Sequence, residues 1–323
     1  MAASRKSSRS NLPARVGAFL AARKVSDGRI GVGLSGGCDS VVLLHVLVGH
    51  GLGERLQAIH VHHGLSPNAD RWARFCADYC GRLGVELRVE HVAVDRTSSL
   101  GLEAAARQAR YRVFAACSPD ELILGHHQDD QAETVLFNLM RGAGVTGAAG
   151  IPPERRQGRL RVLRPLLGCS RQEVEIYAKA HQLAWVDDES NLDTVLSRNF
   201  LRHQAFPLLA GRFPAAPANL ALAASHFAEA DALLGELAAI DWQTVSVNDS
   251  ARLADLRGLS PLRLKNLLRY RLRQLGWQVP GADRLEEFCR QVQSAGPDRH
   301  PVLELSEGHM LASKGVLRWL ARG

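Results

Sequence analysis

The stretch Gly33-Leu34-Ser35-Gly36-Gly37-Cys38-Asp39-Ser40 decides the fold of this chain. An apolar run at residues 30–34 leads into it and reads as a strand, and another at 41–48 follows it and reads as a helix. Gly36 and Gly37 carry no Cβ, so a turn between strand and helix can bring backbone close to a ligand there. The amides that open the helix then face that ligand, and the helix dipole favours an anion. Ser35 and Ser40 add hydroxyls at the two ends of the turn. This is a phosphate cradle, although it lacks the Lys-Ser/Thr ending of the usual P-loop and does not match GxGxxG.

Outward from the turn, strand and helix patterns alternate. A helix is expected at 12–24, a strand at 56–61 ending in His62-His63, a helix at 68–83 and a strand at 85–92. A helix at 102–117, a short strand at 122–124 and a helix at 129–140 complete the series. The order predicts an α/β fold with a doubly wound, mostly parallel sheet. Such sheets bind ligands at the carboxyl ends of their strands, so the Ser/Gly turn, His62-His63 and His126-His127 should share one rim.

Residues 142–158 read as a Gly/Pro/Arg loop, and Ser170 with Glu173 forms a capping box for a helix to 182. Asp187-Asp188-Glu189-Ser190-Asn191 reads as a polar turn, followed by a helical segment with Arg198, Asn199 and Arg202. Phe213-Pro214-Ala215-Ala216-Pro217 marks a boundary. The expected division is a basic tail and first helix at 1–28, a phosphate-binding domain at 29–212, and a smaller, mainly helical domain at 213–323 finishing in short strands.

With 323 residues, 46% apolar and 23% charged, the composition suits a soluble protein of about two domains. No apolar run approaches the ~18–20 residues of a membrane span. The Ser- and Arg-rich start has no apolar signal segment. Cysteines 38, 76, 80, 117, 169 and 289 are scattered without a CxxC pair, so free thiols and a cytoplasmic location are expected. The net charge of +7 resides mostly in residues 1–212, with 27 basic against 21 acidic side chains. Arginines cluster at 154–171, and seven basic residues lie within 252–273, a distribution that suits a polyanionic partner.

The run Gly125-His126-His127-Gln128-Asp129-Asp130-Gln131-Ala132-Glu133-Thr134 is the densest polar stretch. Asp130 and Glu133, three apart on a helix, share a face and form a negative pocket suited to an ammonium group. The spacing matches no common zinc ligand set. In Glu103-Ala-Ala-Ala-Arg107 with Arg110, the two arginines fall on one face and suit phosphate oxygens, as do Arg198 and Arg202.

Taken together, these runs closely resemble the tRNA(Ile)-lysidine synthases, a branch of the PP-loop ATP pyrophosphatases. The resemblance rests on residues 35–40, His62-His-Gly-Leu65, Glu103 to Arg107 with Arg110-Tyr111, residues 125–134, Arg141-Gly142, Arg164-Pro-Leu-Leu167, and Glu189-Ser-Asn191 with Arg198-Asn199 and Arg202. It covers residues 29–212 with specific motifs and the C-terminal region more loosely. It implies adenylation of the wobble cytidine of a CAU-anticodon tRNA(Ile) by ATP, then displacement of AMP by the ε-amine of L-lysine.

The implied ATP-binding residues are Ser35, Gly36, Gly37, Cys38, Asp39 and Ser40, with Asp39 acting through Mg²⁺. Arg107 and Arg198 would neutralise the α-phosphate, and Asp130 and Glu133 would hold lysine. His126 is the expected proton acceptor, since histidine titrates nearest pH 7. The catalytic set is therefore Asp39, Arg107, His126, Asp130 and Arg198. The partners are tRNA, lysine and no membrane, with a homodimer allowed. Many members carry a further C-terminal domain, whereas this chain ends at Gly323. A thiolating relative would be expected to show cysteine pairs, and an amide-forming relative would need fewer arginines.

Overall fold

The structure, a computed structural model, describes residues 11–95, 97, 101–117, 120–187, 197–296 and 298–322. The basic tail at 1–10, turn residues 188–191 and the Glu103 side chain lie outside the described residues. The chain divides into two compact units, 1–228 and 229–323.

The first unit opens with α1 (Leu12–Ala22), β1 (Ile30–Gly33), α2 (Cys38–Gly49), β2 (Leu56–His62), α3 (Ala69–Leu83) and β3 (Glu86–His91). It continues through α4 (Leu102–Cys117), β4 (Glu121–Ile123), α5 (Gln128–Met140), α6 (Val145–Ala148), β5 (Glu154–Gln157), β6 (Leu160–Leu163) and α7 (Arg171–Ala180). Then come α8 (Ser197–Phe200), a π-helical turn (Leu201–Ala205), α9 (Phe206–Arg212) and the start of α10 (Ala216–Val245).

The sheet order is β3-β2-β1-β4-β6-β5, parallel throughout except for β5. The chain winds outward from β1 to β3, then crosses back to place β4 on the other side of β1. That reversal makes a switch point between β1 and β4, where such sheets open a crevice. The Ser/Gly turn leaves β1 and His126-His127 follow β4, so both are delivered to this crevice.

Burial explains the elements. α2 is apolar nearly all round, with Val41, Val42, Leu43, Leu44 and Leu47 fully buried against β1, α1, α3 and α7. On the opposite sheet face, Phe114 of α4 packs with Ile59, Leu122 and Val162. Helices thus cover both faces, as a parallel sheet requires.

The expectation of a loop at 142–158 is corrected: this stretch holds α6 and the edge strand β5, which pairs antiparallel with β6. Gln131 pins it to α5, accepting from the Ile151 amide at 2.6 Å and donating to the Ile151 carbonyl at 3.1 Å.

The second unit begins within α10. It holds β7 (Ser246–Val247), β8 (Ser250–Arg252), α11 (Leu253–Gly258), α12 (Pro261–Gln274), α13 (Ala282–Ser294), β9 (Val302–Glu304), β10 (Gly308–Ser313) and β11 (Val316–Ala321). Its strands form one antiparallel sheet ordered β7-β8-β11-β10-β9 over a core of Leu264, Leu268, Phe288, Val292 and Met310. Much of its basic cluster is held internally. Arg263 pairs with buried Asp241, Lys265 with Glu286, and Arg257 donates to the Val292 and Ala295 carbonyls. Arg271 lies 4.4 Å over the Trp242 ring. No helix among the described residues is long and apolar enough to cross a membrane.

Candidate active site

The turn after β1 is braced from within. Ser40 Oγ lies 3.1 Å from Ser35 Oγ, accepts from the Ser35 amide at 3.2 Å and donates to the Gly37 carbonyl at 2.9 Å. Gly36 sits at φ +88°, and a Cβ there would lie 2.8 Å from Val186 Cγ2. Gly37 caps α2 without a side-chain bond, so the first amides of α2 face the crevice as an anion site would need. His60, passed over in the sequence, anchors the entry: its buried Nδ1 donates to the Leu34 carbonyl at 2.9 Å.

The rim of β4 packs directly on this turn. A Cβ on Gly125 would sit 3.1 Å from the Asp39 carbonyl oxygen and 3.3 Å from the Ser40 amide. His127 then caps α5 in a capping box with Asp130: its Nδ1 accepts from the Asp130 amide at 3.3 Å, and the Asp130 carboxylate accepts from the His127 amide at 2.9 Å. Its Nε2 stands 3.6 Å from both Asp39 Oδ2 and Asp130 Oδ2. Burial works against charge on this ring, but the carboxylates of Asp39, Asp130 and Asp129 beside it push its pKa up to about 9, and a proton taken up at Nδ1 costs the cap bond. Whether or not Nδ1 is protonated, Nε2 keeps its hydrogen and faces the two acids. Burial would raise the Asp39 carboxyl, yet His127, Arg171 and Arg202 hold it below its ordinary value.

Two cavities adjoin here. One, of about 280 Å³, is lined by Ser35, Gly37, Cys38, Asp39 and Asp130 together with Trp72, Val186 and Asp187. The other, of about 270 Å³, is lined by Asp129, Ala132, Glu133, His203, Phe206 and Pro217. Arg171 and Arg202 line both. Asp129 helps to place Arg171 by accepting from its backbone amide at 2.8 Å.

Of the expected residues, the turn, Asp39 and Asp130 thus meet on one cavity and Glu133 lines the next. The acid pair is not open: Arg202 donates from Nε to Glu133 at 2.7 Å and from Nη2 to Asp130 at 3.2 Å. Arg107, His126 and Arg198 line neither cavity. Arg107 lies over the Tyr111 ring at 5.1 Å, and the Tyr111 hydroxyl accepts from buried Arg164 at 3.3 Å. Burial, then the charges of Arg164, Arg107 and Arg110, push His126 down to about 3 although Asp130 opposes them. Such a ring takes up a proton less readily than an exposed histidine. Sequence reasoning gave no role to His127 or Arg171: each has a local partner, Asp130 three positions on and Glu175 four on, but the acids that tie them to the site, Asp39 and Asp129, lie 88 and 42 positions away.

Similarity to known proteins follows the same division. Residues 9–209 match the PP-loop domain family and residues 252–320 match the TilS substrate binding domain. The tRNA(Ile)-lysidine synthase of Nitrosomonas europaea is 42% identical over 297 residues, covering 90% of this chain and 65% of that protein. That of Aromatoleum aromaticum is 48% identical over 82% of this chain and 63% of its own length. That of Pseudomonas putida is 43% identical over 90% and 70%. The chain therefore spans about two thirds of the length of these relatives. Among solved structures, the U34-tRNA thiolase NcsA of Methanococcus maripaludis shares the fold, with a TM-score of 0.55 at 20% identity over 68% of this chain and 78% of that one. Its PP-loop domain and its similarity to these relatives show that the chain belongs to the tRNA(Ile)-lysidine synthase family of PP-loop proteins.

Proposed function

We propose that the protein is an ATP-dependent tRNA(Ile)-lysidine synthase. ATP adenylates O2 of the wobble cytidine in a CAU-anticodon tRNA(Ile) and releases pyrophosphate. The ε-amine of L-lysine then bonds to C2 and AMP leaves with O2. The observation that carries this reading is adjacency: an anion cradle on α2 and a cation-holding acid pair on α5 open onto neighbouring cavities that share Arg171 and Arg202.

In this reading the α2 amides with Ser35 and Ser40 grip the β- and γ-phosphates. Arg107 and Arg198 reach the α-phosphate once the nucleotide is seated, and Asp130 and Glu133 hold lysine. Among the described residues no cluster of three or more His, Cys, Asp or Glu could hold a metal alone. A single ionised carboxylate beside phosphates nevertheless suits Mg²⁺, which takes one or two protein carboxylates plus phosphate oxygens. Asp39 would be that ligand, and the ion would supply charge neutralisation. Lysine must lose a proton from a group with pKa about 10.4. Burial among arginines makes His126 the weaker acceptor, and Glu133, whose carboxyl burial pushes up, takes the proton in this reading.

Thiolation is disfavoured by the cysteines: burial pushes Cys38 and Cys76 up to about 12 and Cys80 and Cys289 to about 11. Such thiols supply little thiolate at neutral pH. The test is incubation with ATP, labelled lysine and a panel of tRNA transcripts. Label should enter only the CAU-anticodon tRNA. ATP cleaved to AMP with no label in RNA would instead indicate a small-molecule ligase.

A further inference from the structure

The acids assigned to an amine already hold a guanidinium. Arg202 Nε donates to Glu133 Oε1 at 2.7 Å, and Nη2 donates to Glu133 Oε2 at 3.0 Å and Asp130 Oδ1 at 3.2 Å. This is the bidentate fork, the strongest arrangement a carboxylate makes with a side chain. The Glu133 side chain is only 6% exposed, so its charge depends on a partner rather than on water. Arg202 leaves the chain from the π-helical turn Leu201–Ala205, an irregularity that concentrates at functional positions. Its side chain lines both cavities.

The geometry points to Arg202 as a specificity-determining residue: a resident counter-ion of Asp130 and Glu133 that the substrate ammonium displaces, turning the guanidinium toward the cavity of the Ser/Gly turn. The inference rests on reading Asp130 and Glu133 as the lysine-holding pair. A buried carboxylate left without its cation is strongly disfavoured, so Arg202 departs only as another cation arrives. A neutral ligand cannot make that exchange, so the pair selects for a charged amine. The freed guanidinium adds positive charge beside the bound phosphates, so amine binding and phosphate neutralisation become coupled, and the coupling is reciprocal. Arg171, already paired with Glu175 at 2.9 Å, stays as the fixed wall between the cavities.

The test follows thermal unfolding of the full chain during titration with L-lysine or, separately, millimolar guanidinium chloride, in the wild type and in Arg202→Ala. Arg202→Ala should melt lower and regain stability with either cation. Its half-saturating lysine concentration should fall at least tenfold below that of the wild type. Equal half-saturation in both proteins, or lysine binding by the wild type alone, overturns the exchange and leaves the lysine reading intact. Recovery with guanidinium but no effect of lysine on either protein supports the exchange and removes the lysine reading. No effect of either cation on Arg202→Ala overturns the exchange. If Arg202→Ala does not fold, Arg202→Lys retains a single charge without the fork. It should then need less lysine than the wild type, and an unchanged half-saturation overturns the proposal.

Discussion

Glu133 is 5% exposed and bound on both oxygens, whereas the Asp39 side chain is about one third exposed on the nucleotide cavity. The two acids should therefore fail differently. Asp39→Ala is expected to abolish adenylation, read as pyrophosphate release. Glu133→Gln should impair lysine incorporation while adenylated tRNA still accumulates, and with Asp130 still facing Arg202 it should lower stability by about 1–3 kcal/mol. Equal loss of both steps in both variants would refute that division of labour. At this scale the sequence exposed the residue types and concealed their pairings. Asp130 and Glu133 were legible as an acid face from their spacing of three. That Arg202 fills this face was not, because 69 residues separate it from Glu133. His126 and His127 look alike in sequence, yet burial among arginines discharges one and three acids charge the other.

Gly125 and Gly81 make a paired test of how elements meet. Gly125 follows β4 and lies against the first turn of α2, and the atoms a methyl group would strike are backbone. Gly125→Ala should force the two apart, lowering stability by about 1–3 kcal/mol and adenylation with it. Gly81 lies exposed within α3 with nothing within 4 Å of a built Cβ. Gly81→Ala should raise stability by about 0.5–1 kcal/mol and leave activity unchanged. Urea unfolding and pyrophosphate release on both variants check the contrast; a harmless Gly125→Ala would mean that the contact is loose. Most elements were readable because one face of each buries an apolar stripe or run. β5 was not: it is an edge strand reading Glu-Arg-Arg-Gln with three of four residues exposed, so it shows no alternation. Its strand character comes from β6, which only the fold supplies.

Across the whole molecule, histidines shape stability against pH, with burial lowering His45 and His60 and three others shifted besides. The ordinary histidine pKa is about 6.5, while burial holds His63 near 4 and His126 near 3, and its acids hold His127 near 9. Below pH 6.5 the unfolded chain takes up protons that folded His63 and His126 refuse, so stability falls toward pH 4. Above pH 6.5 the acids around His127 favour its charged form in the folded chain over the unfolded one, so stability falls as pH rises toward 9, by less than the full shift because the charged ring loses its Nδ1 cap on the Asp130 amide. Urea midpoints should therefore peak near pH 6.5, and His127→Asn should flatten the alkaline limb; a steady rise from pH 5 to 9 would contradict this. The six cysteines add a consequence of another kind. All are free, five are buried, and the one set in the Ser/Gly turn is as inert a thiol as the four beneath the surface. A helix start lowers the pKa of a cysteine, but at Cys38 burial outweighs the helix. No covalent cross-link holds the described fold together, and none of its buried thiols offers oxidants an easy entry. The described scaffold therefore depends on no oxidised sulfur, and the thiol of the nucleotide grip is held in its protonated form by burial.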